Sequence, residues 1–98
     1  MAEVRWTEEA TNWLNDIYEH IAQDNPDAAG RVVTGIYERV RLLRSFPALG
    51  HRYRVEPEGD IRILLYGHYR IAYLAKGRDT IEILGVFHTA MDIERYLR

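Results

Sequence analysis

A change of hydrophobic period at Gly50 constrains this chain more than any other feature. Before it, apolar residues recur at helical spacing. After it, they alternate with the period of two that a β-strand requires. In 98 residues that switch is satisfied by helices covering a sheet within one α+β domain, 1–98.

The first half reads as a short strand and a helix hairpin. Glu3-Val4-Arg5-Trp6 alternates polar and apolar. Thr7 is a good N-cap, with Glu8 and Glu9 in the first turn, where the helix dipole favours acids. Ala10, Trp13, Leu14, Ile17, Tyr18 and Ile21 then form one apolar stripe. Asn25 caps and Pro26 opens a second helix. Its stripe is Ala29, Val32, Val33, Ile36, Tyr37, Val40, Leu43 and Phe46, and Pro47 and Gly50 end it. Gly30 and Gly35 weaken this helix but permit close packing.

The second half reads as a polar connection, His51 to Asp60, followed by three antiparallel strands over Ile61–Tyr66, Tyr69–Ala75 and Thr80–His88. A two-residue turn at Gly67-His68 sets Arg62 opposite Tyr73. A three-residue loop over Lys76–Arg78 sets Tyr73 opposite Ile81 and Ile71 opposite Ile83, matching apolar with apolar. One face then carries Leu64, Tyr66, Tyr69, Ile71, Tyr73, Ile81, Ile83 and Phe87. The other carries Ile61, Ile63, Leu65, Ala72, Leu74, Leu84 and Val86, interrupted by Arg70, Glu82 and His88. Thr89 to Arg98 forms a short helix capped by Thr89, or a tail. The expected architecture is β-α-α-β-β-β, with the hairpin packed on a predominantly antiparallel sheet. One hairpin covers one face, so the second apolar face is expected to bind another polypeptide or a second copy.

Composition excludes several functions. No cysteine is present, which removes disulfides, thiolate metal sites and a thiol nucleophile. No apolar run is long enough to span a bilayer, and the N-terminal residues lack the pattern of a signal peptide, so a soluble cytoplasmic protein is expected with no membrane partner. The net charge of −2 and pI near 6.1 do not suit a protein that lives on nucleic acid. The charge is unevenly spread. Residues 1–30 carry −6, whereas residues 31–54, with Arg31, Arg39, Arg41, Arg44, Arg52 and Arg54 against Glu38, carry +5. That basic segment reads as solvated helix surface or as a partner-facing patch.

Familiar catalytic motifs are missing. There is no glycine-rich phosphate loop, and His20, His51, His68 and His88 show no helical metal spacing. No metal or cofactor is expected. The best constellation is Arg62, Arg70 and His88, with Arg52, Arg54, Glu56 and Glu58 upstream. Converging Arg and His could hold a scissile phosphate while His or Glu moves a proton. Structural roles compete: Arg70 lies diagonal to Glu82, Arg62 can stack on Tyr73, and His88 ends a strand.

Five segments together carry a family resemblance. They are Val4–Ala10, Leu14–Ile21, Phe46-Pro47-Ala48-Leu49-Gly50, Gly67-His68-Tyr69-Arg70-Ile71-Ala72-Tyr73 and Ile81–His88. In this order and spacing the chain resembles the RelE/ParE superfamily of toxins from bacterial type II toxin–antitoxin modules. The resemblance implies the fold derived above and a cognate antitoxin that wraps the toxin. RelE-like members cut messenger RNA in the ribosome with a set of basic residues. Here only Arg70 and Arg62 match that set, and Tyr96 fits only with a shift. A second nuclease pattern would use Arg70, His88 and Glu56 or Glu58, with Thr89 where an aromatic is wanted. ParE-like members, which poison DNA gyrase, are closer in the helix hairpin, the Phe-Pro-x-Leu-Gly step and the Val86-Phe87-His88 strand end.

The expectation is therefore a ParE-like gyrase poison, with a ribosome-dependent ribonuclease or a degenerate binding module as alternatives. Candidate contacts to target or antitoxin are Arg39, Arg52, Arg54, Arg62, Arg70, His88, Leu65 and Leu74. Operator DNA would be met only through the antitoxin. A homodimer or a toxin–antitoxin hetero-oligomer is open.

Overall fold

Thr7 organises the start of the molecule. In the computed structural model, which describes residues 1–97, its hydroxyl accepts the Ala10 amide at 3.1 Å and donates to the Ile83 carbonyl at 2.6 Å. One side chain thus caps α1 (Glu8–Ala22) and ties the end of β1 (Glu3–Trp6) to the far end of the sequence. Asn25 caps α2 (Pro26–Arg41) through the Ala28 amide at 3.1 Å, with Pro26 in the first turn. Each such cap stabilises its helix by about 1 kcal/mol.

The second helix ends earlier than its apolar stripe suggests. After Arg41 the chain tightens into a 3-10 turn, Leu42–Arg44. The tighter winding keeps Leu43 buried but turns Leu42 and Phe46 outward. Phe46 is therefore a surface residue and not part of the core stripe.

Five strands form the sheet, in the order β1-β5-β4-β3-β2. The added strand is β2 (His51–Glu56), which occupies the expected polar connection and pairs antiparallel with β3 (Gly59–Tyr66). Its alternation was masked by Arg52, Arg54 and Glu56, and its pairing shifts register between Arg52 and Arg54. Charged side chains and a bulge are what an edge strand uses to discourage further pairing. The β3–β4 register is as expected, with Arg62 opposite Tyr73 across the Gly67-His68 turn to β4 (Tyr69–Lys76).

The β4–β5 register differs from expectation. The three-residue loop lies one position later, so Lys76 faces Thr80 and Tyr73 faces Ile83 at the start of β5 (Thr80–His88). A bulge then places Leu84 between Ile83, opposite Tyr73, and Gly85, opposite Ala72. The extra residue inverts every side chain beyond it. Val86 joins the helix-covered face and Phe87 leaves it, the reverse of the expected assignment. Gly85 is required there, because a Cβ would lie 2.4 Å from the Phe87 ring.

Two cores result. Ile36, Val40 and Leu43 from α2 and its extension meet Leu64, Ile71, Tyr73, Ile81, Ile83 and Val86 under the hairpin. Burying each large aliphatic side chain contributes about 1.5–3 kcal/mol. Ile61, Ile63, Ala72, Leu74 and Phe87 form the other core with Ile93 and Leu97. The second sheet face is thus not left open for a partner. Residues 89–97, including a single 3-10 turn (Ile93–Arg95) capped by Asp92 rather than Thr89, lie across it as a strap. Arg98, the last residue of that expected segment, lies outside the described residues. No helix among those described is long and apolar enough to cross a membrane.

Candidate functional site

The candidate residues fall into three separate settings. Arg62, Arg52 and Asp60 stand on the hairpin side of the sheet. Asp60 Oδ2 lies 3.0 Å from Arg52 and 3.8 Å from Arg62. Arg62 also donates to the carbonyls of Gly50 at 2.6 Å and Ala48 at 3.3 Å. Opposite it, the Tyr73 hydroxyl donates to Pro47 O at 2.8 Å and accepts from Gly50 N at 2.9 Å. Burial pushes the Tyr73 phenol above its usual pKa, against the downward pull of the Gly50 amide and the Arg62 charge. Gly50 admits no Cβ, which would stand 2.7 Å from Ile63 O and 2.8 Å from the Tyr73 ring. Two of the five segments, Gly67–Tyr73 and Phe46–Gly50, therefore meet: the tyrosine of one locks the loop of the other. This scaffolding role was not read from the sequence.

Arg54, Glu56 and Arg70 belong to the strap side. Arg54 pairs with Glu56 at 2.6 Å and donates to Leu97 O at 2.9 Å. Arg70 donates to Met91 O at 2.5 Å, and its buried Nε has no partner. The expected Arg70–Glu82 pair does not form. The shifted register puts Phe87 opposite Arg70, and Glu82 instead pairs with Lys76 at 3.2 Å. Two arginines thus clamp the strap at both ends. Trp13 packs edge-on against Phe87 and Tyr96, with ring centroids 4.8 and 5.0 Å apart. Beside them Tyr53 titrates above its usual range, first through burial and then through the Glu94 carboxylate.

His88 lies at the turn end of the sheet. It faces Tyr69 across the ladder, its ring stacks at 6.1 Å on His68, and its Nδ1 accepts the Ala90 amide at 3.1 Å. Because of the β5 bulge, His88 projects from the hairpin face while Arg70 projects from the strap face. Glu56 faces Gly59, six residues along β3 from Leu65, the partner of Arg70. At about 3.3 Å per residue that is roughly 20 Å. Glu58 sits beside Glu56, in the turn leading to Gly59. These groups do not converge on one phosphate, and no cluster of three metal-ligating side chains occurs among the described residues.

The remaining candidates separate by exposure. Arg39 donates to Leu65 O at 3.2 Å, and Leu65 is 50% exposed. Leu74 is 7% exposed and belongs to the strap core. Three exposed apolar residues not among the candidates adjoin the locked loop: Leu42, Phe46 and Leu49. The Phe-Pro-x-Leu-Gly step held the signal for two of them, masked because the helical stripe claimed Phe46 for the core.

Comparisons with known proteins agree on one family. The family model described as "ParE toxin of type II toxin-antitoxin system, parDE" matches residues 4–93. "Putative toxin Y4kP" of Sinorhizobium fredii is 39% identical over 85 residues, covering 87% of this chain and 85% of that protein. Among solved structures, "Chromosomal ParDE TA system from P. aeruginosa" superimposes with a TM-score of 0.70 at 27% identity, covering 90% of this chain and 96% of that one.

Proposed function

The chain belongs to the ParE toxin family of type II toxin–antitoxin systems, and from that premise we propose that it arrests growth by poisoning DNA gyrase. Membership implies a cognate antitoxin as its neutralising partner. In this reading the toxin works in the cytoplasm, assembles with the antitoxin as a hetero-oligomer, and meets operator DNA only through it.

The observation that carries the reading is the inversion at Leu84. It sends Arg70 and His88 to opposite faces of the sheet, so the pair a ribonuclease would need has no common substrate surface. Arg62, Arg54 and Arg70 are engaged in holding backbone carbonyls. A protein whose basic residues are engaged in this way acts more readily by binding a macromolecule than by cleaving a phosphodiester. The net charge of −2 supports a protein target in the same direction.

Purified protein should inhibit gyrase supercoiling and accumulate cleaved DNA complexes in a dose-dependent way. Unimpaired supercoiling with no cleaved complexes, at toxin in large excess, would refute the proposal. Codon-phased cuts in translated messages after induction would transfer the function to the ribosome.

A further inference from the structure

The loop that Tyr73 and Arg62 immobilise displays large apolar side chains to solvent. Phe46 is 60% exposed, Leu49 43% and Leu42 42%. Successive backbone bonds join them, from Phe46 N to Leu42 O at 2.9 Å and from Leu49 N to Phe46 O at 3.0 Å. The backbone thus holds the three residues in a fixed relation to one another. No part of the fold requires this exposure. The backbone beneath is held by four hydrogen bonds from two side chains. Rigid presentation of an apolar side chain avoids the ordering cost that weakens binding, as expected of an interface anchor.

The charges around the patch describe the partner. Arg41 and Arg44 line the recess beside Phe46, with Glu38 as the acid on that rim. Neither arginine takes part in an ion pair among the described residues. The rim is thus net positive and electrostatically unsatisfied. Shape adds a second constraint. An extended antitoxin segment fits a groove, whereas fixed, projecting side chains fit a recess already formed on a folded surface.

We propose that Leu42, Phe46 and Leu49 are the knob by which this toxin docks onto its folded protein target, entering an apolar recess ringed by carboxylates, and that the antitoxin holds the toxin elsewhere. The inference rests on the reading that the protein acts by binding a target, and it names the surface that does so.

The test uses the full chain and compares F46S/L49S and R41E/R44E with V55S, which removes an exposed apolar residue near the end of β2. All five substitutions in these three variants lie on the surface, so melting temperatures should stay near that of the wild type. F46S/L49S should fail to arrest growth on induction and need at least about 30-fold more protein to inhibit purified gyrase. R41E/R44E should weaken inhibition, with the difference from wild type shrinking as salt rises. V55S should behave as wild type.

Co-expression of the short open reading frame adjoining the toxin gene, as antitoxin, should still give a stable complex with F46S/L49S. Folded F46S/L49S that arrests growth like wild type would overturn the proposal. So would loss of antitoxin capture in parallel with loss of toxicity. A wild type that arrests growth without touching gyrase removes the gyrase reading alone, since the growth comparison still decides the surface.

Discussion

Removing one oxygen, by Tyr73→Phe, should test how the loop before β2 is held. The ring is wholly buried and its packing survives the change. Only the hydroxyl is lost, and with it two bonds: one to Pro47 O and one from Gly50 N. The Gly50 amide is buried, so leaving it unpaired costs about 1–3 kcal/mol. Pro47 is half-buried, so its carbonyl can recruit water and loses about 0.5–1.5 kcal/mol. The expected destabilisation is roughly 2–4 kcal/mol, or a melting point lower by roughly 10–30 °C in a domain of this size. Thermal and urea unfolding followed by circular dichroism measure it, with an unchanged urea slope showing that the same surface is exposed.

The pH dependence provides a second reading of the same bond. Burial raises the Tyr73 phenol in the folded state above the ordinary value near 10 of an unfolded tyrosine. Its stabilising effect is fully present below that unfolded value. It is lost as pH rises through the higher folded one, because the unfolded chain releases its proton first. The gap between wild type and Y73F should therefore narrow above about pH 10, while Tyr53 titrates alike in both. A stability loss below about 0.5 kcal/mol at neutral pH would refute the assignment of the loop to this hydroxyl.

Three further outcomes separate the roles assigned above. Gly30→Ala should stabilise by roughly 0.5–1 kcal/mol, because its Cβ meets open space on a helix, whereas Gly50→Ala should cost about 1–3 kcal/mol against Ile63 O and the Tyr73 ring; denaturant titration decides both. Leu74→Ala should cost about 2–5 kcal/mol of folding stability, while Leu65→Ser should stay within about 0.5 kcal/mol, so any binding defect at Leu74 should track unfolding on a melt. Arg54→Ala with Arg70→Ala should free the strap. Amide exchange over 89–97 should then accelerate well ahead of the rest of the sheet, at a global cost of roughly 1 kcal/mol per arginine, and equal protection of strap and sheet would contradict the clamp.

The helices and their caps were legible because Thr7, Asn25 and Pro26 act within one turn of themselves, so local chemistry decides them. The β3–β4 turn was legible for the same reason, with Gly67 in the left-handed conformation at φ +54°. Where alternation had to be carried past a register change it failed. One extra residue at Leu84 exchanged Val86 and Phe87 between faces, and nothing in the local pattern Ile83-Leu84-Gly85-Val86 announces it except Gly85. The strap was illegible because Met91, Ile93 and Leu97 follow no regular period. Their burial depends on two arginines and Trp13 brought in from elsewhere. That omission made an occupied face look vacant. The exposed surface at Phe46 was hidden in the sequence for a different reason, since helical periodicity placed that residue in the interior.

The pairing of β1 with β5 is parallel and joins the two ends of the fold, with Thr7 bonded to a residue 76 positions later. During synthesis on the ribosome, then, the hairpin emerges long before the strand that completes its sheet. The sheet cannot be completed until β5 has left the exit tunnel. A stalled or truncated chain should present an unfinished sheet to proteases. The loop-closure entropy of so distant a contact also sets a slow, late step in refolding. The interval between starting the chain and having a working toxin is thus written into strand order, in addition to any control exercised by a partner.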